Sequence, residues 1–312
     1  MSFAADCKQE LCMIENKRAC CLKAECYGLL LFSKCFSARE SQMVCENAAV
    51  ARRVAEAAAV SAGVYAEVRS QLRRKNIGAY AITIPGEAAR IQMIRSFGHD
   101  ENDVNLHIHE KNLQKDCCIS AFLRGVFLIC GTVTDPQKEY NLEFLTARTN
   151  LARDFEALLA EHEFAPHRTR RNGVNLVYVK NSANLERLLR FMGAAGAAEE
   201  IHAQKAFKQV RNQTNRQTNC DTANLGKTAR ANAQTLRAIR YLQENDALET
   251  LPEVLQQAAA VRLQYPDLSL TALCGCFDPA VSKSGLSHRM KKLEALADAL
   301  RQRMEKGQEA EP

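Results

Sequence analysis

Two stretches of the chain, Cys20–Leu31 and Cys117–Leu128, align with five of twelve positions identical, and within the second copy Phe122–Ile129 is apolar on nearly every side when wound as a helix. A helix with no polar face has to be buried, and two of them in one chain can bury each other. Gly28 and Gly125 occupy the same place in both copies. A glycine costs about 1 kcal/mol inside a helix and is best explained where two helix backbones approach closely. The segments after each copy repeat as well. An Ala- and Leu-rich helix (Asn47–Val60; Asn150–Glu161) precedes two strands around a basic turn, and a closing helix ends the unit (Gly86–Phe97; Ser182–Met192). The strands are expected at Val64–Leu72 and Ile77–Ile84 around Arg73, Arg74 and Lys75, and at Phe164–Arg168 and Val174–Lys180 around Arg170, Arg171, Asn172 and Gly173.

The pattern then changes. Lys208–Asn224 is polar and basic without apolar periodicity and reads as a linker, with Asp221 or Thr222 expected to cap a helix that starts near Ala223. Pro252–Gln264 forms another helix. Ser269 caps a short helix carrying Leu270, Leu273 and Cys274 inward, Phe277–Ala280 turns, and Ser282 caps a longer helix with Leu286, Met290, Leu293, Leu296 and Leu300 on one stripe. Short helix, tight turn and longer basic helix is helix-turn-helix geometry. A 100° step per residue puts Ser284, Ser287, His288, Lys291 and Lys292 on the outer side, flanked by Lys283 and Arg289.

The fold class expected is thus α+β: a duplicated domain of two αββ-type halves (1–98 and 99–205), a basic linker (206–224), an all-α helix-turn-helix domain (225–306) and an acidic tail (307–312).

Charge sharpens this picture. The net charge is only +6, but Lys205–Arg240 holds eight basic residues against Asp221 alone, and Val281–Arg303 holds six against Glu294 and Asp298. Such segments suit a polyanion. On the longer helix, Ser and His suit base edges, Lys and Arg suit phosphates or guanine, and the backbone N–H groups at Ser282–Ser284 suit a phosphate. Arg73, Arg74, Lys75, Arg168, Arg170 and Arg171 at the two turns, with Arg211, Arg216, Lys227 and Arg230 of the basic stretch, are candidate phosphate contacts. The turns also fit plain exposed hairpin tips.

No apolar run approaches the roughly 20 residues of a membrane span, and the N-terminus, with Asp6 and Glu10, lacks a signal-peptide layout, so a cytoplasmic, nucleoid-associated location is expected. The thirteen cysteines include no Cys-x-x-Cys, so they read as small buried hydrophobes and no metal or other cofactor is expected.

Leu123–Thr132 resembles the LAGLIDADG motif of homing endonucleases, in which paired helices lie beneath a saddle of strands that holds DNA and the motif ends in a metal-binding carboxylate. The matching positions are Ser33 and Cys130. Neither is a ligand for Mg²⁺, so cleavage is expected to be lost; Asp135 nearby reads as a turn residue. The whole chain resembles the WhiA family, on Met1–Phe3, Cys20-Cys21, Cys117-Cys118, Arg211–Arg216, Asn219–Asp221, Ala223-Asn224 and Pro279–Arg289. The resemblance implies a non-enzymatic transcription factor of double-stranded DNA, with a helix-turn-helix similar to sigma-factor region 4, acting in sporulation or in cell division and chromosome segregation. A residual metal-dependent nuclease and a protein-binding scaffold, whose N-terminal domain holds a second regulator, are the competing readings. Because the helix pair is completed within one chain, a monomer is expected.

Overall fold

The structure, a computed structural model, describes residues 2–73 and 76–308. It divides into two compact units, residues 1–209 and 210–312.

In the first unit, α1 (Phe3–Cys12) precedes two copies of one arrangement. The first is α2 (Ala19–Leu31), β1 (Cys35–Phe36), β2 (Ser41–Cys45), α3 (Ala48–Ala57), β3 (Glu67–Arg73), β4 (Asn76–Thr83) and α4 (Glu87–Ser96). The second is α5 (Asp116–Cys130), β5 (Gly131–Val133), β6 (Leu142–Thr146), α6 (Thr149–Glu161), β7 (His167–Arg171), β8 (Val174–Val179) and α7 (Ser182–Met192). Each copy forms an antiparallel four-stranded sheet of the same order, β1-β2-β4-β3 and β5-β6-β8-β7. The duplicated α+β class therefore holds, and each half, with three helices and four strands, exceeds an αββ unit by two helices and two strands. β2 and β6 are five residues long and β1 and β5 shorter. Strands this short stand only because their neighbours complete the ladder.

α2 and α5 pack along their length and run in the same direction, with residues 25–29 against 122–126. A Cβ on Gly28 would stand 2.4 Å from the Phe122 carbonyl oxygen, and one on Gly125 would stand 2.3 Å from that of Glu25. Both glycines are there because the facing backbone occupies the space of a side chain. Leu29, Leu30, Phe122, Val126 and Phe127, all at most 1% exposed, centre the core on this pair.

The β7–β8 connection is Asn172-Gly173, with φ of 51° and 82°. That is the two-residue turn whose backbone twist matches a hairpin, and Asn-Gly is the pair that tolerates it. Arg74 and Lys75 lie outside the described residues, as does most of the acidic tail.

The stretch 206–224, expected to precede a fresh helix near Ala223, is instead the middle of one helix, α8 (Ala195–Glu244). Its residues 209–227 are exposed on every side, so no apolar stripe announces the helix. Gln217 Nε2 donates to Asp221 Oδ1 one turn on at 3.1 Å. Glu10 of α1 caps its start, accepting from Gly196 N at 2.6 Å and Ala197 N at 3.0 Å.

The second unit joins the end of α8 to α9 (Glu253–Gln264), α10 (Leu270–Leu273) and α11 (Lys283–Gln308). Ile239, Leu242, Ala258, Leu273, Leu286, Leu293 and Ala297 form its core. Among the described residues no helix is long and apolar enough to cross a membrane.

Candidate nucleic-acid interface

Ser269 accepts from Ala272 N at 3.2 Å and so starts α10; Ser282 accepts from Gly285 N at 3.1 Å and starts α11. Part of the N–H supply at the head of α11 is therefore taken by its own cap. Between them, Leu273 and Leu286 are fully buried and fix the short helix against the long one. Asn232 of α8 donates to the carbonyls of Pro266 and Leu268, both at 3.1 Å, and Arg262 of α9 donates to Leu268 O at 2.8 Å. These two side chains hold the loop before α10. Arg262 is 1% exposed, and burial lowers its pKa from the usual arginine value. Nothing in its sequence surroundings signals that role.

With Leu286, Met290, Leu293 and Ala297 buried, Lys283, Ser284, His288, Lys291 and Lys292 stand exposed and Ser287 and Arg289 half-buried beside them. Glu294 is the first acid of the helix. Its carboxylate accepts from Thr235 Oγ1 and, at 3.4 Å, from Gln234 Nε2, both on α8, and so is drawn off the outer face. The face left is cationic and hydroxyl-bearing over two turns. Arg211, Arg216, Lys227 and Arg230 are exposed along α8.

The first unit treats its arginines differently. Register places Arg168 opposite Val177, Arg170 opposite Asn175 and Arg171 opposite Val174. Val177 and Asn175 are buried, so by strand alternation Arg168 and Arg170 project toward the helix side of the sheet. Arg168 Nε lies 2.7 Å from Glu156 Oε2 of α6, an ion pair that occupies it. Only Arg171 of the three lies on the open side. There the register sets it on the same side as Leu145, Leu176 and Tyr178, together with Glu143, His167 and Thr169. Arg73 ends β3 of the first sheet.

At the ends of α2 and α5, where homing enzymes place metal-binding carboxylates, Ser33 Oγ donates to Cys35 O at 3.0 Å and Cys130 Sγ to Val126 O at 3.3 Å. Burial pushes the Cys130 thiol up to about 12, against the opposing charge of Lys8. A neutral thiol acting as donor offers nothing to a hard cation. Arg148 closes the same place: its Nη1 donates to the carbonyls of Leu31 and Ser33, both at 3.0 Å, setting a fixed positive charge on the C-terminal end of α2. The residues present do not fit a catalytic Mg²⁺.

The molecule is thus a LAGLIDADG-type saddle domain and a helix-turn-helix domain in one chain. Models of the WhiA LAGLIDADG-like domain and the WhiA C-terminal HTH domain match residues 119–211 and 214–297. A probable cell division protein WhiA of Ruminiclostridium cellulolyticum is 34% identical over 309 residues, covering 96% of this chain and 98% of the relative. Its counterpart in Desulforamulus reducens is also 34% identical, over 314 residues, 96% of this chain and 97% of its own. The chain belongs to the WhiA family. The crystal structure of full-length DUF199/WhiA from Thermotoga maritima shares the fold, with a TM-score of 0.59 and 21% identity over 96% of this chain and 99% of the other.

Proposed function

We propose that this protein is a sequence-specific regulator of transcription that binds duplex DNA through α11, without cutting it, and serves cell division, as its relatives' names indicate. The observation that carries this reading is the outer face of α11, where the first acidic side chain is turned inward onto Thr235. Lys283, Arg289, Lys291 and Lys292 would contact phosphates or guanine, Ser284, Ser287 and His288 base edges, and Arg211, Arg216, Lys227 and Arg230 further phosphates. It would act in the cytoplasm on the nucleoid, as a monomer, since the helix pair is complete within the chain.

Genome-wide mapping of bound sites identifies the motif. Binding of that duplex, followed by fluorescence anisotropy across a salt series, should give log K falling by about 0.9 per neutralised phosphate in log salt units. A chain whose residues 210–312 bind duplex no better than its residues 1–209 would refute the assignment to α11. Supercoiled plasmid should stay intact with Mg²⁺ or Mn²⁺.

For the first unit, Leu145, Leu176 and Tyr178 on the open side of the second sheet, with the acidic Glu143 among them, favour contact with a second protein over contact with phosphates. Pull-down with residues 1–209 tests this.

A further inference from the structure

The Sγ atoms of Cys20, Cys117 and Cys118 all lie within 4.8 Å of one another, and Cys21 Sγ lies 4.0 Å from that of Cys20. We propose that Cys20, Cys117 and Cys118 bind one Zn²⁺ as thiolates. In sequence the two pairs are merely adjacent residues, and one adjacent pair chelates poorly. In the fold they are the first turns of α2 and α5. Because the two helices run in the same direction in register, their N-terminal turns meet, and Cys20 joins Cys117 and Cys118 in one cluster with Cys21 beside Cys20.

The dimensions suit the ion. Tetrahedral Zn²⁺ with Zn–S bonds of about 2.3 Å holds its sulfurs about 3.8 Å apart, a contraction of at most about 1 Å from the spacings among Cys20, Cys117 and Cys118. Soft thiolates select Zn²⁺ over Mg²⁺ or Ca²⁺. Charge is provided for as well. Three thiolates leave the complex negative, and they would sit at two helix N-termini with Arg18 Nη1 3.6 Å from Cys117 Sγ. Cys20 is exposed and Cys118 buried, so the cluster has an entry from solvent and an anchored floor. Each thiol that binds releases its proton to solvent, with no redox change.

This site is not the degenerate one at Ser33 and Cys130. It lies at the other end of α2, a helix of thirteen residues and so about 20 Å long. Its effect would be to tie the two halves of the duplicated domain together where their central helices begin.

The test uses the full chain, purified reduced and without chelator. Elemental analysis should find one zinc per chain, and Co²⁺ in its place should give thiolate-to-cobalt charge-transfer absorption. Cys20→Ser, at an exposed position, and Cys117→Ser should each lower zinc affinity at least tenfold with an unchanged far-ultraviolet circular dichroism spectrum. Cys220→Ser and Cys276→Ser, exposed elsewhere, should keep the metal. Zinc that survives Cys20→Ser and Cys117→Ser together would overturn the proposal. So would a reduced chain that takes up none, or cysteines found joined to each other as disulfides in the protein from cells.

Discussion

Arg124 of α5 donates through Nε to Oε2 of Glu25 on α2 at 2.8 Å, and both side chains are buried. Arg53 binds the same carboxylate from α3, with Nη2 3.1 Å from Oε2, and Asn16 donates to it at 2.7 Å. One anion thus gathers two cations from both halves of the duplication. Burial by itself would raise the Glu25 pKa, but the bonds from Arg53 and the charges of Arg124 and Arg53 prevail and hold it below the ordinary carboxylate value. Removing one member strands the others in the core. Glu25→Ala should cost about 3–5 kcal/mol in urea unfolding. The stabilisation from Glu25 is complete above its unfolded pKa and fades as pH falls through the folded one. Its loss should therefore appear below about pH 4.5, and be missing from Glu25→Gln.

Gly28→Ala and Gly125→Ala test the helix pair directly. Each methyl would press on a carbonyl oxygen of the facing helix at 2.4 or 2.3 Å, and backbone cannot step aside as a side chain can. Each should destabilise by at least about 1–3 kcal/mol, read as a lowered urea midpoint.

His99 gives the fold a second acid sensitivity. It is 4% exposed, its Nε2 lies 2.9 Å from Tyr27 Oη, and its ring stacks on His109 at 3.9 Å. Burial, then the neighbouring His109, lower its pKa to about 4, against the pull of Asp103. The folded state thus keeps His99 neutral where the unfolded chain has begun to protonate. Stability should fall as pH drops from about 6.5 to about 4, and His99→Gln should flatten that part of the curve.

On α11, Lys291→Ala with Lys292→Ala should weaken binding to all duplexes alike and reduce the salt slope by roughly 1.8, if each lysine neutralises one phosphate. Ser287→Ala or His288→Ala should change preference among sequences at little cost to nonspecific affinity, measured by competition anisotropy. Glu294→Gln should leave DNA affinity nearly unchanged, since its carboxylate faces Thr235.

The parts of the fold legible in the sequence are those with a repeating local cause. The apolar α2 and α5, their matched glycines, the Asn-Gly hairpin and the stripe Leu286, Met290 and Leu293 each carry their reason within a turn or two of chain. The middle of α8 is illegible for the opposite reason: residues 209–227 touch solvent on all sides, so periodicity has nothing to report. Short strands such as β1 and β5 depend on partners brought in by the fold. The same is true of Arg148 on the end of α2, of Arg262 under the loop before α10, and of Glu156, which pairs with Arg168. The cysteines show it most plainly: Cys7, Cys26 and Cys45 fill core as expected, while Cys20, Cys220 and Cys276 are exposed. Spacing along a chain cannot foresee a cluster assembled from two helices.

The fit of Gly28 and Gly125 against each other's helices has a consequence beyond packing. Were the halves separate molecules, their union would follow mass action and fail on dilution. Joined in one chain, they meet at a rate and with an equilibrium independent of concentration. The saddle therefore stays assembled however scarce the protein is, and each half is free to acquire residues the other lacks, as Ser33 and Cys130 already differ.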